Sequence, residues 1–203
     1  MGKLVFGVGI NDADYVTQRF EKLKDGRNKK IWTCPFYQKW LSMLTRAYYE
    51  KEKQRHPTYR NCTTCEDWLY FSKFRSWMET QDWEDKQLDK DILFPGNKHY
   101  SPETCVFVSK TVNSFMIGTD VSRGEYLMGV YFYKQTGKFK AQCNDPFTHK
   151  RQALGYFTSE EDAHKAWLAK KLEHAYNLAA LQSDERVAKA LIGRYENYEE
   201  YQP

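Results

Sequence analysis

The chain has 203 residues, with 31 Lys+Arg against 27 Asp+Glu and a formal net charge of +4, a size that suits one or two domains. No apolar run approaches the roughly 18 residues of a membrane span, and the start carries no signal-peptide pattern. A cytoplasmic protein with no membrane partner is therefore expected. Five cysteines at irregular spacing argue against a disulfide framework and for reduced thiols.

Lys and Arg gather in residues 19–60 and 134–151, among 15 Tyr, 12 Phe and 6 Trp. Basic segments interleaved with rings suit a polyanion that offers flat faces; the plainer reading is a solvated surface over mixed cores. Residues 1–30 read as an arm, since Gly7-x-Gly9 lacks the remainder of a phosphate-binding glycine motif. Over residues 32–53, Phe36, Trp40, Met43, Leu44 and Ala47 recur at helical steps, with Pro35 suited to a first turn. A loop at 56–61 precedes a second helix expected from Thr64, whose apolar face runs from Cys65 through Trp68, Phe71 and Phe74 to Met78. Cys62-x-x-Cys65 is one close cysteine pair, and a structural zinc site usually needs two, so zinc is not expected.

Residues 88–114 read as a short strand carrying Asp89-Lys90-Asp91, a turn at Gly96-Asn97, a second strand, and a helix starting at Ser109. With Tyr100-Ser101-Pro102-Glu103-Thr104-Cys105-Val106-Phe107-Val108-Ser109 and then Asn113, this order resembles the ββα unit of bacteriophage HNH homing endonucleases. The resemblance assigns residues 31–117 to a helical plus HNH-like domain. Cleaving a phosphodiester needs a divalent ion and a base that activates water. The resemblance implies Mg²⁺ held by Asp89 and Asn113, with Lys90 at the catalytic base position and Thr104 at the position that orients the base. Both depart from the family, which has His and Asn there. A lysine, protonated near neutrality, is poorly suited to take a proton. The implied activity is thus either a DNA-nicking hydrolase or a retained scaffold that holds DNA through Lys90, Lys98 and Lys110.

Residues 118–124 read as a linker. Beyond it, two alternating strands meet at Gln135-Thr136-Gly137-Lys138, a third ends at Leu154-Gly155-Tyr156-Phe157, and a helix follows, capped by Thr158 or Ser159. Gly129-Val130, Gly137-Phe139, Leu154-Phe157 and Trp167 resemble the ethylene-response-factor type of DNA-binding domain, here residues 125–182. In that family the outer face of a three-stranded sheet reads the major groove. The matching positions are Tyr131, Tyr133, Lys138, Gln142, Asn144 and Arg151, and period two adds Lys140. Residues 183–203 are expected to form a last helix and an acidic tail.

The expectation is an α+β chain: a helical N-terminal part, an HNH-like ββα unit, and a three-stranded antiparallel sheet packed on a helix. Its expected role is sequence-directed binding of double-stranded DNA in an infected bacterial host, with magnesium-dependent nicking if active. The alternatives are a catalytically degenerate DNA-binding regulator and a phage protein that binds a host protein.

Overall fold

Pro35 opens helix α1 (Pro35–Tyr48) at a position where its missing N–H costs nothing. One face of that helix, Trp40, Met43, Leu44 and Ala47, is wholly buried. It packs on α3 (Phe71–Met78), whose Phe71, Phe74 and Met78 are equally buried. Each of these side chains larger than alanine contributes about 2 kcal/mol on leaving water. The Trp40 indole donates to the Trp68 carbonyl at 2.7 Å, which satisfies the one polar atom that its burial would otherwise strand. A short helix α2 (Glu50–Arg55) with no buried residue follows α1.

The computed structural model describes residues 4–117 and 125–198. It is mixed α+β and divides into two compact units, Met1–Val108 and Ser109–Pro203. Among the described residues, no helix is long and apolar enough to cross a membrane.

In unit 1 the segment read as an arm is part of the fold. Val5, Phe6 and Ala13 pack on the core of α1 and α3, and Ile10 exchanges backbone hydrogen bonds with Leu69 and Phe71. Strands β1 (Gln18–Lys22) and β2 (Asn28–Thr33) then form an exposed antiparallel hairpin. The expected second helix also starts later. Thr63–Thr64 is instead a strand, β3, and α3 begins only at Phe71 after a 3₁₀ turn. The pull away from helix is tertiary: β3 pairs in parallel with β5 (His99–Tyr100), and the Thr64 hydroxyl donates to the Tyr100 carbonyl.

Strand β4 (Gln87–Asp89) pairs antiparallel with β6 (Val106–Val108), so Asp89 faces Val106 across the ladder. The expected strand pair is present, with β5 looping out between its halves to join β3. Unit 1 ends here. The expected domain end near residue 117 is thus displaced, because helix α4 (Lys110–Met116) belongs to unit 2. Its start matches expectation: the Ser109 hydroxyl accepts from the Val112 N–H at 3.2 Å.

Unit 2 holds the antiparallel sheet of β7 (Val130–Tyr133), β8 (Lys138–Asn144) and β9 (Arg151–Phe157), in the order β7-β8-β9. Helix α5 (Glu160–Ala179) lies on one face, burying Ala141, Cys143, Ala163 and Trp167. Ser159 caps it, accepting from the Asp162 N–H at 3.1 Å. Gly129, at φ +78°, brings the chain so close to Trp167 that a Cβ there would sit 2.0 Å from the indole. Helix α6 (Glu185–Glu196) is not separate from this unit. Its Val187, Leu191 and Tyr195 are buried, and the Tyr195 hydroxyl donates to the Phe115 carbonyl at 3.0 Å. The expected linker 118–124, and residues 199–203 of the expected acidic tail, lie outside the described residues.

Candidate functional site

Two places carry the residues singled out from the sequence: the turn after β4 in unit 1, and the open face of the sheet in unit 2.

At the turn, Asp89 accepts hydrogen bonds from the backbone N–H groups of Asp91 and Ile92, both at 2.8 Å. It therefore shapes the chain where β4 ends. Burial, and then the neighbouring Asp91 carboxylate, push its carboxyl up to about 6. Lys90 is only 5% exposed. Its ammonium meets Asp91 at 3.0 Å and lies 5.8 Å from the Tyr100 ring centre. That inward pairing does not offer its nitrogen to a substrate. Thr104, at the expected orienting position, donates to the His99 carbonyl at 2.7 Å and accepts from the Ser101 N–H at 3.1 Å. It braces the turn after β5.

Sequence reasoning missed Asn97. Its amide donates to the carbonyls of Lys90 and His99, each at 2.7 Å, and its oxygen accepts from the His99 N–H at 3.1 Å. It ties the two sides of the excursion together, directly behind Lys90. The signal was available in Gly96-Asn97, read only as a turn.

Asp89 and Asn113 fall in different compact units, one at the end of β4 and the other within α4. At the turn itself the carboxylates are already partly engaged. One Asp89 oxygen already serves two backbone N–H groups. Asp91 carries the Lys90 ammonium, and a fixed cation beside a carboxylate pair opposes a second. Among the described residues no three His, Cys, Asp or Glu side chains converge as a metal cluster would need. Cys62 and Cys105 are buried free thiols, and burial pushes the Cys105 thiol up to about 12.

On the sheet, the register sets Tyr131 opposite Lys140 and Lys140 opposite Tyr156, with Tyr133 opposite Lys138. Contacts bear out one shared face. The Lys140 ammonium lies 5.6 Å from the Tyr131 ring and 5.5 Å from that of Tyr156, while the Tyr133 and Tyr156 rings are 5.5 Å apart. The Tyr131 hydroxyl, hydrogen-bonding the ammonium, raises the Lys140 pKa.

Further along, Gln142 pairs with Ala153 and Asn144 with Arg151. All seven positions singled out on the sheet therefore share the face opposite α5, where Ala141 and Cys143 point. Tyr156 is the addition that sequence reasoning missed. Strict alternation from Arg151 would carry it inward. The register instead shifts between Ala141 and Gln142 so that Leu154 is passed over, and Gly155 takes φ +142°. Glycine tolerates that backbone, and the bulge turns Tyr156 outward, 48% exposed.

A comparison of the chain with known protein families, with curated proteins and with solved structures finds no match in any of the three.

Proposed function

We propose that this chain binds double-stranded DNA through the outer face of the β7-β8-β9 sheet, as a relative of the phage HNH homing-endonuclease type whose metal turn has become structural. The reading rests on one observation: Tyr131, Tyr133, Lys138, Lys140, Gln142, Asn144, Arg151 and Tyr156 line a single face. Such a surface combines what a duplex requires. Lys138, Lys140 and Arg151 supply charge for phosphates, and Gln142 and Asn144 supply amides that can donate and accept at base edges. Tyrosines give rigid walls with polar tips at low entropic cost. The ring pair around Lys140 holds its ammonium in a defined place.

No cleavage step is derived through the Asp89 turn, because one Asp89 oxygen serves two backbone N–H groups and Asp91 pairs with Lys90. In this reading the protein is a DNA-binding regulator that keeps the scaffold of a nuclease.

The test is fluorescence anisotropy with labelled duplexes over a salt series, run beside a supercoiled-plasmid assay with Mg²⁺ or Mn²⁺. Binding that weakens steeply with salt is expected, with relaxation of the plasmid no faster than in buffer. Nicking abolished by Asp89→Ala would restore the endonuclease. Binding insensitive to salt would remove DNA as the ligand and favour a host protein.

A further inference from the structure

The sheet face is not the only cationic surface of unit 2. At the end of the sheet where β7 begins lies a cavity of about 960 Å³, walled by α4, α5, α6 and the loop between β8 and β9. Its basic lining is Lys110, Arg151, Lys171, Arg194 and His149, against the carboxylate of Asp145 as the one acidic side chain among the lining residues. That carboxylate is occupied: it accepts from the N–H groups of Phe147 and Thr148 at 2.8 and 3.0 Å and from the Gln152 amide at 3.3 Å.

Lys171 is the informative group. Its ammonium lies 3.6 Å from the centre of the Phe115 ring and 4.9 Å from that of Tyr195. The ionisable groups that act on it are the Cys143 thiol of β8 and the Arg194 guanidinium of α6. Among the described residues no carboxylate pairs with it. A partly buried cation held against ring faces, beside another cation and with no carboxylate on it among the described residues, gains strongly from an anion delivered through the cavity mouth. Four residues of that mouth, Tyr131, Gln142, Asn144 and Arg151, also belong to the outer sheet face. The two surfaces are continuous.

We propose that this cavity is a phosphate-backbone groove. It receives the sugar-phosphate strand of a duplex lying on the sheet, with Lys171 and Lys110 as its phosphate contacts. The inference rests on the DNA-binding reading and deepens it: the footprint turns the end of the sheet instead of stopping at it. Desolvation, with Arg194 adding to it, lowers the Lys171 ammonium to about 8. The protonated form is the one that binds phosphate, so this contact is complete below about 8 and fades as pH rises through and beyond it.

The experiment measures affinity for one duplex across salt and pH, using wild type, Lys171→Met, Lys171→Arg, Lys110→Gln and Lys140→Ala, each checked for folding by circular dichroism. Lys171→Met and Lys110→Gln are each expected to weaken binding about three- to tenfold and lower the salt slope by about one. Lys171→Arg should keep the affinity and abolish its fall above about 8. Lys110 is exposed on α4, so its variant keeps the test decisive if the partly buried Lys171 variant fails to fold. If Lys140→Ala weakens binding and the two groove variants do not, the groove is wrong and the sheet reading stands. Loss in the groove variants without loss in Lys140→Ala would keep the groove and reject the sheet face. A wild type that does not bind the duplex overturns both.

Discussion

Lys90 in unit 1 and Lys140 in unit 2 both sit beside tyrosine rings, 5.8 Å from Tyr100 and 5.6 Å from Tyr131. Lys90 is 5% exposed, and its ammonium meets Asp91. Lys140 lies on an open sheet face between two rings, with no carboxylate partner among the described residues. The difference extends to their neighbours. Around Lys90, the side chains of Asp89, Asn97 and Thr104 all bond to backbone groups. Around Lys140, Lys138, Gln142, Asn144 and Arg151 stand along one face without comparable ties among the described residues. The lesson is that residue type does not distinguish a structural polar cluster from one left available at the surface. What distinguishes them is whether irregular backbone nearby needs the same hydrogen bonds. The excursion between β4 and β6 is irregular and consumes its polar side chains; the sheet satisfies its own backbone and leaves them over.

The largest expected effect tests the support behind the open face. Gly129→Ala forces a Cβ to 2.0 Å from Trp167 at φ +78°. It should destabilise unit 2 by about 3 kcal/mol, read from hydrogen exchange of the unit 2 amides across a urea series.

Next come the inward contacts of unit 1. Asn97→Ala removes two donated bonds and one accepted bond and should cost about 2 kcal/mol. Lys90→Met should cost about 1 kcal/mol, discounted because the Asp91 side chain is 43% exposed. Both losses are measurable by thermal denaturation, with duplex affinity unchanged. A fall in affinity without a fall in stability would place the turn among the binding residues and break the contrast.

Lys140→Ala is expected to do the reverse: about fivefold weaker duplex binding, a salt slope lower by about one, and a melting temperature within about 1 °C of wild type.

The smallest effect concerns His174 on α5, only 3% exposed, neither of whose ring nitrogens has a hydrogen-bond partner among the described residues. Burial first, and the Lys170 ammonium next, lower its pKa, against the raising pull of Asp145 and Glu173. A depressed histidine pKa means that the unfolded chain takes up the proton first. Stability is therefore complete above the unfolded value of about 6.5 and declines as pH falls from there towards the lower folded value. His174→Leu should flatten that decline, seen in denaturation midpoints across a pH series.

Much of unit 2 was legible in the sequence. Alternation over residues 138–144 gives a common face to Lys138, Lys140, Gln142 and Asn144, because side chains of a strand repeat every two residues whatever surrounds them, whereas Tyr131 and Tyr133 join that face through the hairpin register. A cap at Thr158 or Ser159, which the structure resolves to Ser159, and the break at Ser183-Asp184 were also legible, being local hydrogen-bond chemistry. Unit 1 was less so. Trp40, Phe71 and Phe74 announced a core, but the path of residues 4–33 did not follow from it. Thr63–Thr64 became a strand because a distant strand, His99–Tyr100, pairs with it.

The sequence by itself determined what depends on near neighbours: the helices α1, α5 and α6, the three strands of the sheet, and the candidate residues on it. Only the tertiary structure decided which polar groups remain available. It turned Lys90 inward onto Asp91, gave Asn97 to two carbonyls, and used the Leu154-Gly155 bulge to turn Tyr156 outward. It also brought Lys110 and Lys171, from separate helices, to one cavity. The physical reason is that periodicity is set by bonds along the chain, whereas burial and hydrogen-bond demand are set by whatever the fold brings alongside.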